Sequence, residues 1–140
     1  MAKKFKQKEQ ISLEQSGKVP PQATDLEEAV LGALMLDSDA LSNAIEILRK
    51  ESFYKIEHQK VFEAIESLFN GAQPVDILTV TNQLRKSGDL EEIGGPVFVA
   101  GLTERVASAA NIETHARIIA QKYIQRELIK ISAKIMTDAY

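Results

Sequence analysis

His58 and His115 are the only imidazoles in a chain without cysteine, so metal binding or acid–base chemistry would have to run through them and nearby carboxylates. Neither has a helper in local sequence. Glu57 adjoins His58 and cannot share a helical face with it, and Glu113 and Thr114 are no better placed against His115, so both imidazoles are expected to be structural. The carboxylate pairs Glu27-Glu28 and Glu91-Glu92 would need a pocket that separates their pKa values before they could act as acid and base. A helix start and a solvated turn explain them more simply. Gly94-Gly95 has the composition of an anion nest, but Pro96 lacks one of the N–H groups such a nest uses. Phe53, Tyr54, Phe62 and Phe69 are spaced as core residues and lack the basic neighbours of a base-stacking platform.

The common catalytic signatures are missing. Gly17-Lys18 is followed by Val19, so there is no phosphate-cradling G-x-x-x-x-G-K-[ST], and G-x-G-x-x-G, G-x-S-x-G and H-E-x-x-H do not occur. No catalytic, cofactor-binding or metal-ligating residue is therefore assigned. Zero cysteines also exclude disulfides and thiolate zinc sites. The longest apolar stretch, Ala29 to Leu36, is far short of the ~20 residues needed to span a bilayer, and the basic start at Met1 to Lys6 is not followed by an apolar signal segment. The expectation is a soluble cytoplasmic protein with no membrane partner.

The net charge of −3 is unevenly distributed. Residues 1–24 carry +3, residues 25–110 carry −8 and residues 111–140 carry +2. An acidic middle is poorly suited to displacing counterions from phosphates, so no direct DNA binding is expected from it.

Residues 1–23, polar and Lys- and Gln-rich, with Lys3, Lys4, Lys6 and Lys8, read as a disordered basic arm and most simply as a solvated tail. Thr24 and Glu27 then have capping-box spacing ahead of Leu26, Ala29, Val30, Ala33 and Leu34, predicting a helix to Leu36. Asp37-Ser38-Asp39 caps a second helix to about Lys50. A third runs from about Glu57 to Asn70 and stops at Gly71. Asp76, with Thr79 at the third helical position, caps a helix from Ile77 to about Lys86, and Val75 is spaced to staple onto Val80. Gly88 ends it; Leu90 to Pro96 form a link into a helix from Val97 to about Arg105. Val97-Phe98-Val99 has β propensity but no partner run, so the chain reads as all-α: a compact bundle of about six helices.

The last thirty residues, Asn111 to Tyr140, read as one helix with more apolar surface than one packing partner needs. Ala116, Ala120, Ile124, Leu128, Ile131, Ile135 and Ala139 form a stripe, with Ile112, Ile118, Ile119, Tyr123, Ile129, Met136 and Tyr140 beside it. Asn111 is a suitable N-cap, whereas Ile135 to Tyr140 contains no stop signal. A connection at Val106 to Ala110 predicts an antiparallel helical hairpin over residues 95–140, following a globular head over 24–94. Surplus apolar surface points to assembly, with Ile112, Ala116, Ile119, Ala120 and Tyr123 as candidate dimer-interface residues.

The wording of the chain resembles a family. Pro20-Pro21-Gln22 through Leu36-Asp37, Phe53-Tyr54 with His58 and Val61-Phe62, Gly71 with Pro74-Val75-Asp76 and Thr79, and Gly88-Asp89-Leu90 with Gly94-Gly95 follow one another as in the N-terminal domain of the bacterial hexameric replicative DNA helicases of the DnaB type. Ser108-Ala109-Ala110-Asn111, Ala116, Ile118-Ile119, Arg126 and Leu128-Ile129 continue the match, with departures at Ala107 and His115. The resemblance implies a domain without an ATPase site that pairs through its hairpin into a collar, commonly a trimer of dimers on the hexamer. It also implies a separate RecA-like motor using ATP and Mg beyond a linker after the last helix, so this part should be inactive alone. Primase would dock on the collar, with a helicase loader as a further partner; Arg117, Gln121 and Gln125 are the docking candidates. A free-standing helical adaptor that dimerises through the same hairpin is the alternative reading.

Overall fold

Helix α1, Thr24–Leu36, is apolar on every side over its second half, the pattern of a helix enclosed by others rather than laid on a surface. Val30, Leu31, Ala33 and Leu34 are fully buried, because later helices pack around α1. The computed structural model describes residues 19–105 and 111–140. The first eighteen residues of the expected basic arm, with its lysines, and the expected connection at Val106 to Ala110 lie outside the described residues.

Among the described residues there are seven α-helices, one 3-10 turn and no strand. Helix α2, Ser38–Ala44, begins at Asp37, whose carboxylate accepts the Asp39 N–H at 2.9 Å. It ends earlier than the predicted Lys50. The chain turns after Ala44 and passes through a 3-10 turn at Lys50–Ser52, which brings both Leu48 and Phe53 into the core. Helix α3, Ile56–Asn70, buries Val61, Phe62, Ile65 and Leu68, as the periodicity predicts. Helix α4, Ile77–Ser87, carries the predicted reciprocal cap: Thr79 N–H donates to Asp76 at 2.8 Å, and Asp76 N–H donates to Thr79 Oγ1 at 2.9 Å. Val75 and Val80 both join the core at this cap.

The segment expected to be a link holds a short helix, α5, Leu90–Ile93, which turns Leu90 and Ile93 inward. Helix α6, Gly95–Glu104, contains Pro96 in its first turn, where the missing N–H costs nothing; Val97-Phe98-Val99 is helical. Helix α7, Ile112–Ala139, has 28 residues, and is thus roughly 42 Å long.

Helices α6 and α7 each pack against α1, so the predicted final pair is held through that central helix. Val99 and Leu102 of α6 and Ile112, Ala116 and Ile119 of α7 belong to the same apolar cluster as Val30, Phe62 and Leu84. The core therefore runs straight across the expected head–hairpin boundary at 94/95. The packing boundary falls inside α7 instead, between Ile119, its last fully buried residue, and Leu128, where the helix becomes exposed.

Candidate assembly surface

Glu27 does not close the predicted capping box. Ala23 occupies the cap position of α1 with no side-chain cap bond, and Glu27 turns inward, where it is 1% exposed. Its carboxylate accepts His58 Nδ1 at 2.8 Å and the Tyr54 N–H at 2.9 Å, just ahead of α3. The negative charge thus sits at the positive end of the α3 dipole. A carboxylate only accepts, so the ring must donate through Nδ1–H; Nε2 is buried without a partner, and the ring packs beside Phe98, with 6.2 Å between centres and 25° between planes. Acid and imidazole are together, but both are sealed from any substrate. The pair is a bolt between α1, α3 and α6, in keeping with the structural role expected of His58. His115 is half-buried on α7, and among the described residues no group of three or more His, Cys, Asp or Glu could hold a metal ion.

The interface candidates divide. Ile112, Ala116 and Ile119 lie in the protein's own core, with Ile119 only 1% exposed, and Ala120 packs against that core. These four are already used within the protomer, contrary to the surface position expected of them, because α1 and α2 cover the first half of α7. Tyr123 is half-buried beside Arg126. The surplus apolar surface exists, but further along: Ile124, Leu128, Ile129, Ile131, Ile135, Met136 and Tyr140 are all exposed. Residues 128–132 are exposed without interruption, so here the helix stands clear of the body on every side. The stripe beginning at Ala116 is one continuous row whose start is covered and whose remainder is bare.

Where the helix leaves the body, Arg126 donates to Pro21 O at 2.8 Å and, through its other terminal nitrogen, to Ser52 O at 2.9 Å. Its guanidinium lies 5.5 Å from the Tyr54 ring centre and 5.8 Å from that of Tyr123, close enough for cation–π attraction. Spacing alone does not assign this role; the sequence signals are the place of Arg126 in the family resemblance and Tyr123 one helical turn before it. Of the docking candidates, Arg117 is exposed and paired with Glu113 at 3.0 Å, Gln121 is exposed and Gln125 is half-buried.

Comparison with known proteins gives a consistent set of likenesses. A family model described as the DnaB-like helicase N terminal domain matches residues 19–121. The replicative DNA helicase DnaB of Rhodothermus marinus is 49% identical over 127 residues, covering 91% of this chain and 13% of that protein. That of Geobacillus stearothermophilus is 45% identical over 125 residues, covering 89% and 28%. This chain therefore spans a minor part of such relatives. The crystal structure of the N-terminal domain of DnaB helicase from Mycobacterium tuberculosis superposes with a TM-score of 0.85 at 35% identity, covering 87% of both chains.

Proposed function

This chain belongs to the DnaB-like helicase N-terminal domain family, and on that premise we propose that it is a non-catalytic collar module through which helicase protomers pair and dock primase during DNA replication. The observation that carries the reading is the bare half of α7. A domain that has already completed its own core presents a second apolar row, from Ile124 through Leu128, Ile131 and Ile135, on a helix that stands clear of the body from Leu128. Burying such a row returns ~25 cal/mol per Å2 of apolar surface, and a matching row on a second copy is a self-complementary cover. Pairing fixes the spacing of protomers and creates a composite surface for primase, with a loader as a further partner. ATP, Mg and DNA translocation belong to a motor elsewhere in the parent protein.

The test is the mass of the isolated chain by light scattering across a micromolar concentration series, with titration of the same organism's primase C-terminal domain by calorimetry. Self-association that Leu128→Asp abolishes supports the pairing reading, and heat of binding supports docking. A single-chain mass throughout overturns the first, and absence of binding overturns the second.

A further inference from the structure

The geometry points to Arg126 as the positioning residue that sets the direction in which α7 leaves the body. The inference rests on the collar reading, since it concerns how the pairing surface is aimed. Three segments distant in sequence meet at this one side chain: the residues before α1 at Pro21, the 3-10 turn at Ser52, and α7 itself. A rigid fork with two charge-assisted donors fixes both distance and angle in a way that a point charge cannot.

The location is what makes this a directional device. Ile119 is the last fully buried residue of α7, and from Leu128 onward the helix has only exposed or half-exposed residues. Arg126 thus lies where a small change of helix angle is magnified along the bare half. Tyr54 and Tyr123 confine the guanidinium beside the two carbonyls it serves. Tyr54 is itself tied down, because its backbone N–H is held by the buried Glu27 carboxylate. The aim of the pairing surface is therefore referred back to the centre of the domain.

The chain contains no cysteine, so spin labels can be placed at Asn82→Cys and Asp138→Cys, both exposed positions, one on α4 and one near the end of α7. Double electron–electron resonance, with labelled chain diluted in unlabelled chain, then reads the helix direction within single protomers. A single narrow distance distribution is expected for the parent, a clearly broadened or shifted one for Arg126→Ala, and an intermediate one for Arg126→Lys. The same variants should keep the helical circular dichroism of the parent. A parent-like distribution in a folded R126A overturns the proposal. If R126A does not fold, R126K decides: a broadened or shifted distribution supports the proposal, and a parent-like one overturns it. A parent chain that never self-associates would defeat the collar reading while leaving this measurement intact; a chain that dimerises but whose helix direction ignores Arg126 would do the reverse.

Discussion

Glu27 and His58, 31 residues apart, meet at 2.8 Å in the centre of the domain with 1% and 0% of their side chains exposed. The carboxylate also holds the Tyr54 N–H at 2.9 Å, so a single side chain satisfies donors from two segments. Such a group is costly to remove, because its buried donors are left without acceptors.

Glu27→Ala is accordingly expected to destabilise the fold by about 3 kcal/mol. Glu27→Gln retains one acceptor oxygen and should lose less. Urea denaturation followed by circular dichroism checks both; equal stability of the parent and Glu27→Ala would remove the pair from the account of the core.

Two apolar residues of α7 should respond oppositely to the same change. Ile119→Asp places a carboxylate in the fully covered part of the helix and should cost more than about 4 kcal/mol, unfolding the chain rather than merely separating a dimer. Leu128→Asp, at a position 58% exposed, should alter protomer stability by less than about 0.5 kcal/mol while abolishing self-association. Melting curves and light scattering on the two variants separate these outcomes.

That contrast marks how far the sequence was legible. Periodicity gave the longer helices, though neither the early end of α2 nor the short α5, and the full apolar stripe from Ala116 to Ala139, because these are local properties of a 3.6-residue repeat. It did not tell which part of the stripe the protomer covers, since that depends on where α1 and α2 end against α7. The cap at Asp76 was readable, its partner Thr79 being three residues away. Glu27 and Arg126 were not: their partners lie 31, 74 and 105 residues distant. A local capping signal at Thr24 and Glu27 was overridden by a tertiary bond.

The Asp76 cap should behave as a local feature. Asp76→Ala leaves the Thr79 N–H without its side-chain acceptor and is expected to cost about 1 kcal/mol. Asp76→Asn, which keeps an acceptor oxygen, should cost a fraction of that by the same denaturation assay. Equal losses would mean that charge rather than hydrogen bonding matters there.

Gly94 and Gly88 both have positive φ, at 117° and 80°, but differ in the space beside them. A Cβ at Gly94 would meet Phe98 Cβ at 3.1 Å, whereas nothing lies within 4 Å of one at Gly88. Gly88→Ala should therefore carry only the backbone cost of about 1–2 kcal/mol. Gly94→Ala should exceed it, because Phe98, against which His58 rests, must shift as well. A smaller loss at position 94 than at 88 would contradict this packing.

The end of α3 offers the opposite outcome, a substitution that stabilises. Gly71 is the predicted stop, yet its φ is −86°, a value open to any residue, and the left-handed position falls one residue later on Ala72, with φ 54°. Around it the chain forms a complete terminating motif: Gln73 N–H donates to Leu68 O at 2.9 Å and Ala72 N–H to Phe69 O at 3.1 Å. The glycine thus stands beside the position that needs it. Ala72→Gly should remove the left-handed cost of alanine, roughly 1–2 kcal/mol, against a smaller entropic loss in the unfolded chain, for a net gain of about 0.5–1 kcal/mol. Gly71→Ala adds nothing closer than 3.4 Å and removes a conformationally loose residue, so the exchanged pair should be more stable than either single variant. Differential scanning calorimetry checks the order; a lower melting temperature for Ala72→Gly than for the parent would show that the left-handed turn at position 72 is not where the helix ends.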